Sequence, residues 1–184
     1  MALPTEIGEA TEGLEGLTKI FVPLPHHPHV TGEALWARQI GENRYELRNA
    51  PFHAFDLNFL DVVEAEPSPT HVELRLNEPE DARDERHARP HVTRVIRRSG
   101  HATLRICFNE AAALGERVPL LRSLRRFGAT FEGASFSYFA IDVEPAGDYP
   151  AVEAALVAWT EQGIATYETC GPRVSGSFDD RPRT

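Results

Sequence analysis

Lysine is almost missing from this chain: 18 of its 19 basic residues are Arg, and Lys19 is the exception. GC-rich coding produces the same bias, so it carries no functional weight alone, although Arg favours planar two-point contacts with carboxylate or phosphate. Cysteine is scarce too. Cys107 and Cys170, two thiols in 184 residues, provide neither a disulfide framework nor zinc-finger spacing, which suits a reducing compartment. No apolar run approaches the roughly 18 residues needed to cross a bilayer, and the N-terminus lacks a basic flank followed by an apolar core. These absences lead to the expectation of a cytoplasmic protein without membrane contact.

What is present is a globular composition, 41% hydrophobic and 26% charged, with a formal net charge of -9 that hides a strong polarity. Residues 83–126 hold 11 Arg against 4 acids, a local +7, while the remainder carries 8 basic and 24 acidic residues, or -16. Nucleic acid as a whole-surface partner is therefore not expected, whereas a local anion or an acidic protein surface fits the basic segment. The same count suits a structural alternative, in which the Arg segment is neutralised by the acidic N-terminal half.

Residues 1–18 contain Glu6, Glu9, Glu12 and Glu15 among glycines and read as an acidic flexible tail. Residues 19–66 predict a small β-barrel-like domain. Lys19 to Leu24 alternates, Leu35 to Ile40 and Arg44 to Arg48 flank a Gly41-Glu42-Asn43 turn, and short runs follow at Phe52 to Phe55 and Asp61 to Ala65. Residues 67–91, punctuated by Pro67, Pro69, Pro79 and Pro90, read as a charged insertion or linker, with a possible strand at His71 to Leu76.

Residues 92–171 have a clearer plan. Arg94 to Arg97 and Ala102 to Phe108 predict a strand pair across a tight turn, Pro119 sits near a helix start, and Leu120, Leu121, Leu124 and Phe127 line one face up to Gly128. Strands at Ala129 to Glu132 and Phe136 to Val143 follow. A second helix is capped by Asp148 and faced by Val152, Ala155, Leu156 and Trp159, and a final strand runs from Ile164 to Cys170. Strand, helix, strand, strand, helix, strand is the ferredoxin-like (βαββαβ) order. Both helices would cover one sheet face and leave the other to the N-terminal domain, a second copy or a ligand. Residues 172–184 form a polar tail. The fold class expected is thus α+β, a small β-barrel-like domain followed by a ferredoxin-like one.

Four strings, LWARQIGENRYELRNAPFHAF, DVVEAEP, RVIRRSGHATLRICF and GATFEGASFSYFAIDVEP, occur in the order of a bacterial family known as domain of unknown function 4265, which residues 19–170 resemble. The resemblance implies a bacterial, cytosolic protein with about 20 inserted residues around Thr70 to Arg89, and it transfers no catalytic residue.

Three clusters bear chemistry. His26, His27 and His29 lie between prolines, where imidazoles at such spacing converge on Zn, Ni or Cu, with Glu33 or His53 as a fourth ligand; the plainer alternative is an exposed Pro-His loop. Arg94, Arg97, Arg98, Ser99, His101 and Arg105 surround a Gly100 turn that could present amides and guanidinium groups to an anion, or could be ordinary turn chemistry. Covalent catalysis lacks parts, since Cys107 is about 20 Å along the strand from His101 and no acid near in sequence orients that imidazole. Phe136 and Tyr138 invite comparison with single-stranded RNA binders, but Asp142 and Glu144 on the same parity oppose phosphate.

The reading that follows is a non-catalytic binding or regulatory module. Its Arg-rich segment and open sheet face would meet a protein partner or small anionic ligand, with a possible homodimer and no cofactor. The alternatives are a small hydrolase or transferase with His101 as acid/base and Arg98 as anion clamp, and single-stranded RNA binding by the ferredoxin-like sheet.

Overall fold

The computed structural model describes residues 15–25, 27, 29–67 and 89–169. The fold is mixed α+β, mostly sheet with two helices. The predicted strand at His71 to Leu76 and both tails beyond residues 15 and 169 lie outside the described residues.

Five strands pair in a ring: β1 (Leu17–Pro23), β2 (Gly32–Gly41), β3 (Arg44–Leu47), β4 (Val62–Glu66) and β5 (His91–Arg97). Neighbours run antiparallel from β1 to β5, and one parallel bridge, Phe21 with His91, returns β5 to β1. Alternation drives closure, because inward positions Ile20, Val22, Leu35, Ala37, Tyr45, Leu47, Val63, Ala65 and Val92 form one buried cluster. The predicted turn after Gly41 is present, with Asn43 at φ 53, a conformation Asn tolerates well. Phe52 to Phe55 forms no strand. It belongs instead to the connection between β3 and β4, whose amides are taken by side chains.

The second sheet holds β6 (Ala102–Phe108), β7 (Ala129–Gly133), β8 (Tyr138–Val143) and β9 (Ala165–Glu168) in the antiparallel order β7-β8-β6-β9. Helix α1 (Leu114–Ser123) follows β6 and α2 (Tyr149–Glu161) follows β8. Leu104, Ile106, Phe108, Phe139, Ile141 and Val143 meet Leu121, Leu124, Val152, Leu156 and Trp159 in a second core. Each such buried side chain contributes about 1.5–3 kcal/mol. Asp148 caps α2 by accepting from the Ala151 amide at 3.1 Å. Gly128 ends the 3-10 turn after α1 at φ 75, as its position predicts.

Two local expectations are corrected. Pro119 lies inside α1, which starts at Leu114; buried Arg117 anchors that start by donating to the Ala112, Asn109 and Phe136 carbonyls at 2.8–3.2 Å. Runs β5 and β6 do not pair with each other. The turn between them, with Gly100 at φ 87, passes the chain from the ring to the second sheet.

Candidate functional site

The chemistry-bearing residues gather where the β3–β4 connection, residues 48–61, lies over the helix-free face of the second sheet. Two buried carboxylates shape that connection. Glu33 on β2 accepts from the Phe52 amide at 2.7 Å and from the His53 and Ala54 amides at 2.9 Å each, so three consecutive donors end on one side chain. Asp61, fully buried, accepts from the Asn58 amide at 3.1 Å, the Ser99 amide at 2.7 Å and Arg98 Nη1 at 3.1 Å. Arg98 Nη2 reaches Asp56 at 2.8 Å, and its Nη1 also donates to the Asp56 carbonyl. Arg98 is therefore held by acids of this chain.

Arg105 is turned inward more completely. It has no exposed surface, donates to the carbonyls of Phe52 (3.1 Å), Pro51 (2.9 Å) and Ala54 (3.1 Å), and stacks 4.4 Å from the Phe55 ring centroid. The guanidinium suits this work because its donors form a rigid planar fork. Tyr138, across from Cys107 on β8, donates its hydroxyl to the Phe52 carbonyl at 2.8 Å; burial pushes its pKa up to about 12, keeping it a donor. Asn58 accepts from the Thr103 amide at 2.9 Å, and Glu132 on β7 accepts from the Ala50 amide at 3.0 Å. Burial pushes the Glu132 carboxyl up, against the opposing pull of that amide. The sheet face expected to be open is therefore covered over Thr103, Arg105, Ala140 and Asp142, all buried, and the connection supplies carbonyls to Arg105 and the Asn58 side chain to the Thr103 amide.

His101 Nδ1 lies 2.8 Å from Asp142 Oδ2, with the imidazole side chain 13% exposed and edge-on to Phe59. Burial raises the Asp142 pKa and its hydrogen bond to His101 opposes that rise. The acid that sequence proximity did not supply thus comes from 41 residues away. Ser99 does not complete a triad: its hydroxyl donates to the Phe59 carbonyl at 2.7 Å and accepts from the His101 amide at 3.1 Å.

The imidazole loop is only partly within view, since His26 lies outside the described residues. His27 Nδ1 accepts from the His29 and Val30 amides at 3.2 and 3.1 Å. Its ring sits 5.5 Å from His53, which stacks on Tyr138 at 6.0 Å. Burial and the neighbouring His53 and His29 lower the His27 pKa. Glu33, the other proposed ligand, is occupied by three amides. Among the described residues no group of three or more His, Cys, Asp or Glu is arranged to hold a metal ion.

Arg94 and Arg97 face outward on β5. Arg94 makes a two-point pair with Glu64, 2.6 and 3.1 Å, and Arg97 approaches Glu46 at 3.9 Å. Trp36, Ile40 and Ile96 are exposed on the ring, and Phe136, 61% exposed, lies in the β7–β8 turn rather than on a strand. Glu33, Asp56, Asn58, Asp61, Glu132 and Asp142 do not stand out by sequence reasoning as a group. Two of them carry a signal: Asp61 and Asp142 each interrupt an apolar run, which is where a buried carboxylate with partners is expected.

Three buried atoms have no hydrogen-bond partner among the described residues: Thr103 Oγ1, Arg105 Nη1 and Asp142 Oδ1. Leaving such a group unmatched costs about 1–3 kcal/mol.

The fold and this seam define an α+β protein in which a five-stranded ring and a helix-backed sheet are joined by internal charge and hydrogen bonding. Within it, residues 81–167 match the family model described as domain of unknown function DUF4265, a span that contains the last two of the four resembling strings and not the first two. A solved structure described as a hypothetical protein from Neisseria gonorrhoeae is similar over 88% of this chain and 94% of its own, with a TM-score of 0.61 at 15% identity, a likeness of fold alone. No curated protein matches the chain. No helix among the described residues is long and apolar enough to cross a membrane.

Proposed function

We propose that this chain is a non-catalytic binding module that contacts an acidic protein partner through the outer wall of the ring. The reading divides the chain into a small barrel-like unit, residues 19–66, completed by β5 beyond a charged linker, and a ferredoxin-like unit that begins at β6 rather than at residue 92, because β5 pairs within the ring. The order β7-β8-β6-β9 with both helices on one face supports the ferredoxin-like part.

The observation that carries the reading is a division of labour among the arginines. Arg105 is buried and Arg98, though 44% exposed, is spent on Asp56 and Asp61, while Arg38, Arg94 and Arg97 lie on the outside of the ring, Arg94 paired with Glu64 and Arg97 approaching Glu46, as do exposed Trp36, Ile40 and Ile96. An aromatic and aliphatic patch rimmed by Arg is the composition that protein interfaces favour. The test is capture from a bacterial lysate on the immobilised chain, beside the double variant Arg94→Glu/Arg97→Glu. An acidic protein retained by the first and lost by the second supports the reading, and identical captures by both overturn it. Size-exclusion chromatography of the same pair tests whether the partner is a second copy.

The hydrolase or transferase alternative has one observation in its favour, the His101–Asp142 pair at 2.8 Å. Its anion clamp, however, would be an Arg98 that already holds Asp56 and Asp61, and its serine is committed to backbone groups. RNA stacking would need Tyr138 free, yet its hydroxyl is spent on Phe52.

A further inference from the structure

We propose that the seam contains a buried water site bridging Thr103 Oγ1 on β6 and Asp142 Oδ1 on β8, a structural water that joins two neighbouring strands of the second sheet on its helix-free face. Register brings the two atoms together: Thr103 and Asp142 are direct partners across the β6–β8 ladder, with side chains on the same, helix-free face. Thr103 has no exposed surface and Asp142 is nearly as buried, so bulk solvent does not reach either group.

The neighbours decide which chemistry fits. Asp142 Oδ2 is engaged by His101, and the Thr103 amide by Asn58, so the free lone pairs of Oδ1 and the free hydroxyl are what remain. No amide or guanidinium among the described residues reaches them, and a second anion is disfavoured beside a carboxylate that also feels Glu132 across the face. The occupant must donate to Oδ1 and either donate to or accept from the hydroxyl. Water does both, and buried waters characteristically settle on groups otherwise left unmatched. Arg105 Nη1, two residues along β6 on the same face, is the third unmatched atom, and its remaining donors mark the polar layer as continuing beneath the 51–55 backbone.

Two experiments test the site. In a crystal structure at about 1.5 Å or better, density for one water within about 2.7–3.2 Å of both Thr103 Oγ1 and Asp142 Oδ1 is expected. An apolar contact or a direct Thr103–Asp142 hydrogen bond there overturns the proposal. Independently, Thr103→Val keeps the shape and removes the hydroxyl. If the hydroxyl is bridged by water, the variant strands that water and the Tm falls by about 3 °C. If the hydroxyl is simply unmatched, removing it leaves the Tm unchanged or raised, which overturns the proposal.

Discussion

The two faces of the second sheet are built from the same strands and bury opposite chemistries. Toward the helices, Leu104, Ile106, Phe139, Ile141 and Val143 pack without directionality, and the gain follows the area removed from water. Toward the ring, Thr103, Arg105, Tyr138 and Asp142 bury polar groups, most of them matched to an atom of residues 50–58 or to His101, with Thr103 Oγ1, Arg105 Nη1 and Asp142 Oδ1 the exceptions. An apolar face tolerates many partners of the right shape, whereas a polar one accepts only a backbone whose carbonyls and amides fall in the right places. The difference teaches why an irregular stretch such as residues 48–61 holds one conformation: its polar groups are matched one by one by Glu33, Asp61, Arg105 and Glu132.

The contrast between the faces breaks most sharply at Arg105. Arg105→Met leaves the Pro51 and Ala54 carbonyls without their donor and the Phe52 carbonyl with the Tyr138 hydroxyl alone, and is expected to destabilise the chain by about 4 kcal/mol, measured by urea unfolding. Leu104→Ala, its neighbour on the other face, is expected to cost about 3 kcal/mol through a cavity. The energies are similar but the consequences are not: the first should free residues 50–58 and the second should leave them in place.

A smaller effect is expected from Asp61→Asn. The carboxylate accepts from two backbone amides and from Arg98, but Arg98 is 44% exposed and solvent-screened, so most of the loss comes from the amides. About 2 kcal/mol is expected by the same urea measurement.

The smallest effect sharpens the electrostatic side. Glu132 has its pKa raised above 4.5 mainly by burial, so the folded state holds its proton more tightly than the unfolded state. Its contribution is fully present below about pH 4.5 and is lost as pH rises through the folded pKa. Glu132→Gln should therefore gain stability relative to the parent as pH rises above about 4.5, as followed by urea midpoints. A constant difference would assign no titration to this site.

Much of the architecture was legible because it rests on local pattern. The hairpin around Asn43, the alternation of Leu104, Ile106 and Phe108, the Asp148 cap and the Gly128 stop each follow from a few neighbouring residues. What escaped depends on distance along the chain. The runs β5 and β6 carry every mark of a hairpin, yet Asp61, 38 residues before Ser99, takes the turn's amide and helps direct the second run into another sheet. Phe52 to Phe55 alternates weakly like a strand, but Glu33 binds its amides from outside the ladder. The Arg-rich segment was visible as charge, while its division into buried Arg105 and Arg117, half-exposed Arg98 held by Asp56 and Asp61, and outward Arg94 and Arg97 was not. Burial of a guanidinium depends on carbonyls and carboxylates that only the fold assembles. The -16 outside the segment does meet part of its +7, through Glu46, Asp56, Glu64 and Asp61.

The central claim is that the inward arginine, histidine and carboxylate groups lock residues 48–61 to the second sheet. Hydrogen–deuterium exchange on the Arg105→Met variant tests it most directly. The account predicts that the amides of Ala50, Phe52, His53, Ala54 and Asn58 lose protection while Ile106 and Ile141 in the helix-backed core keep theirs. Unchanged protection at residues 50–58, in a variant that remains folded, would contradict it.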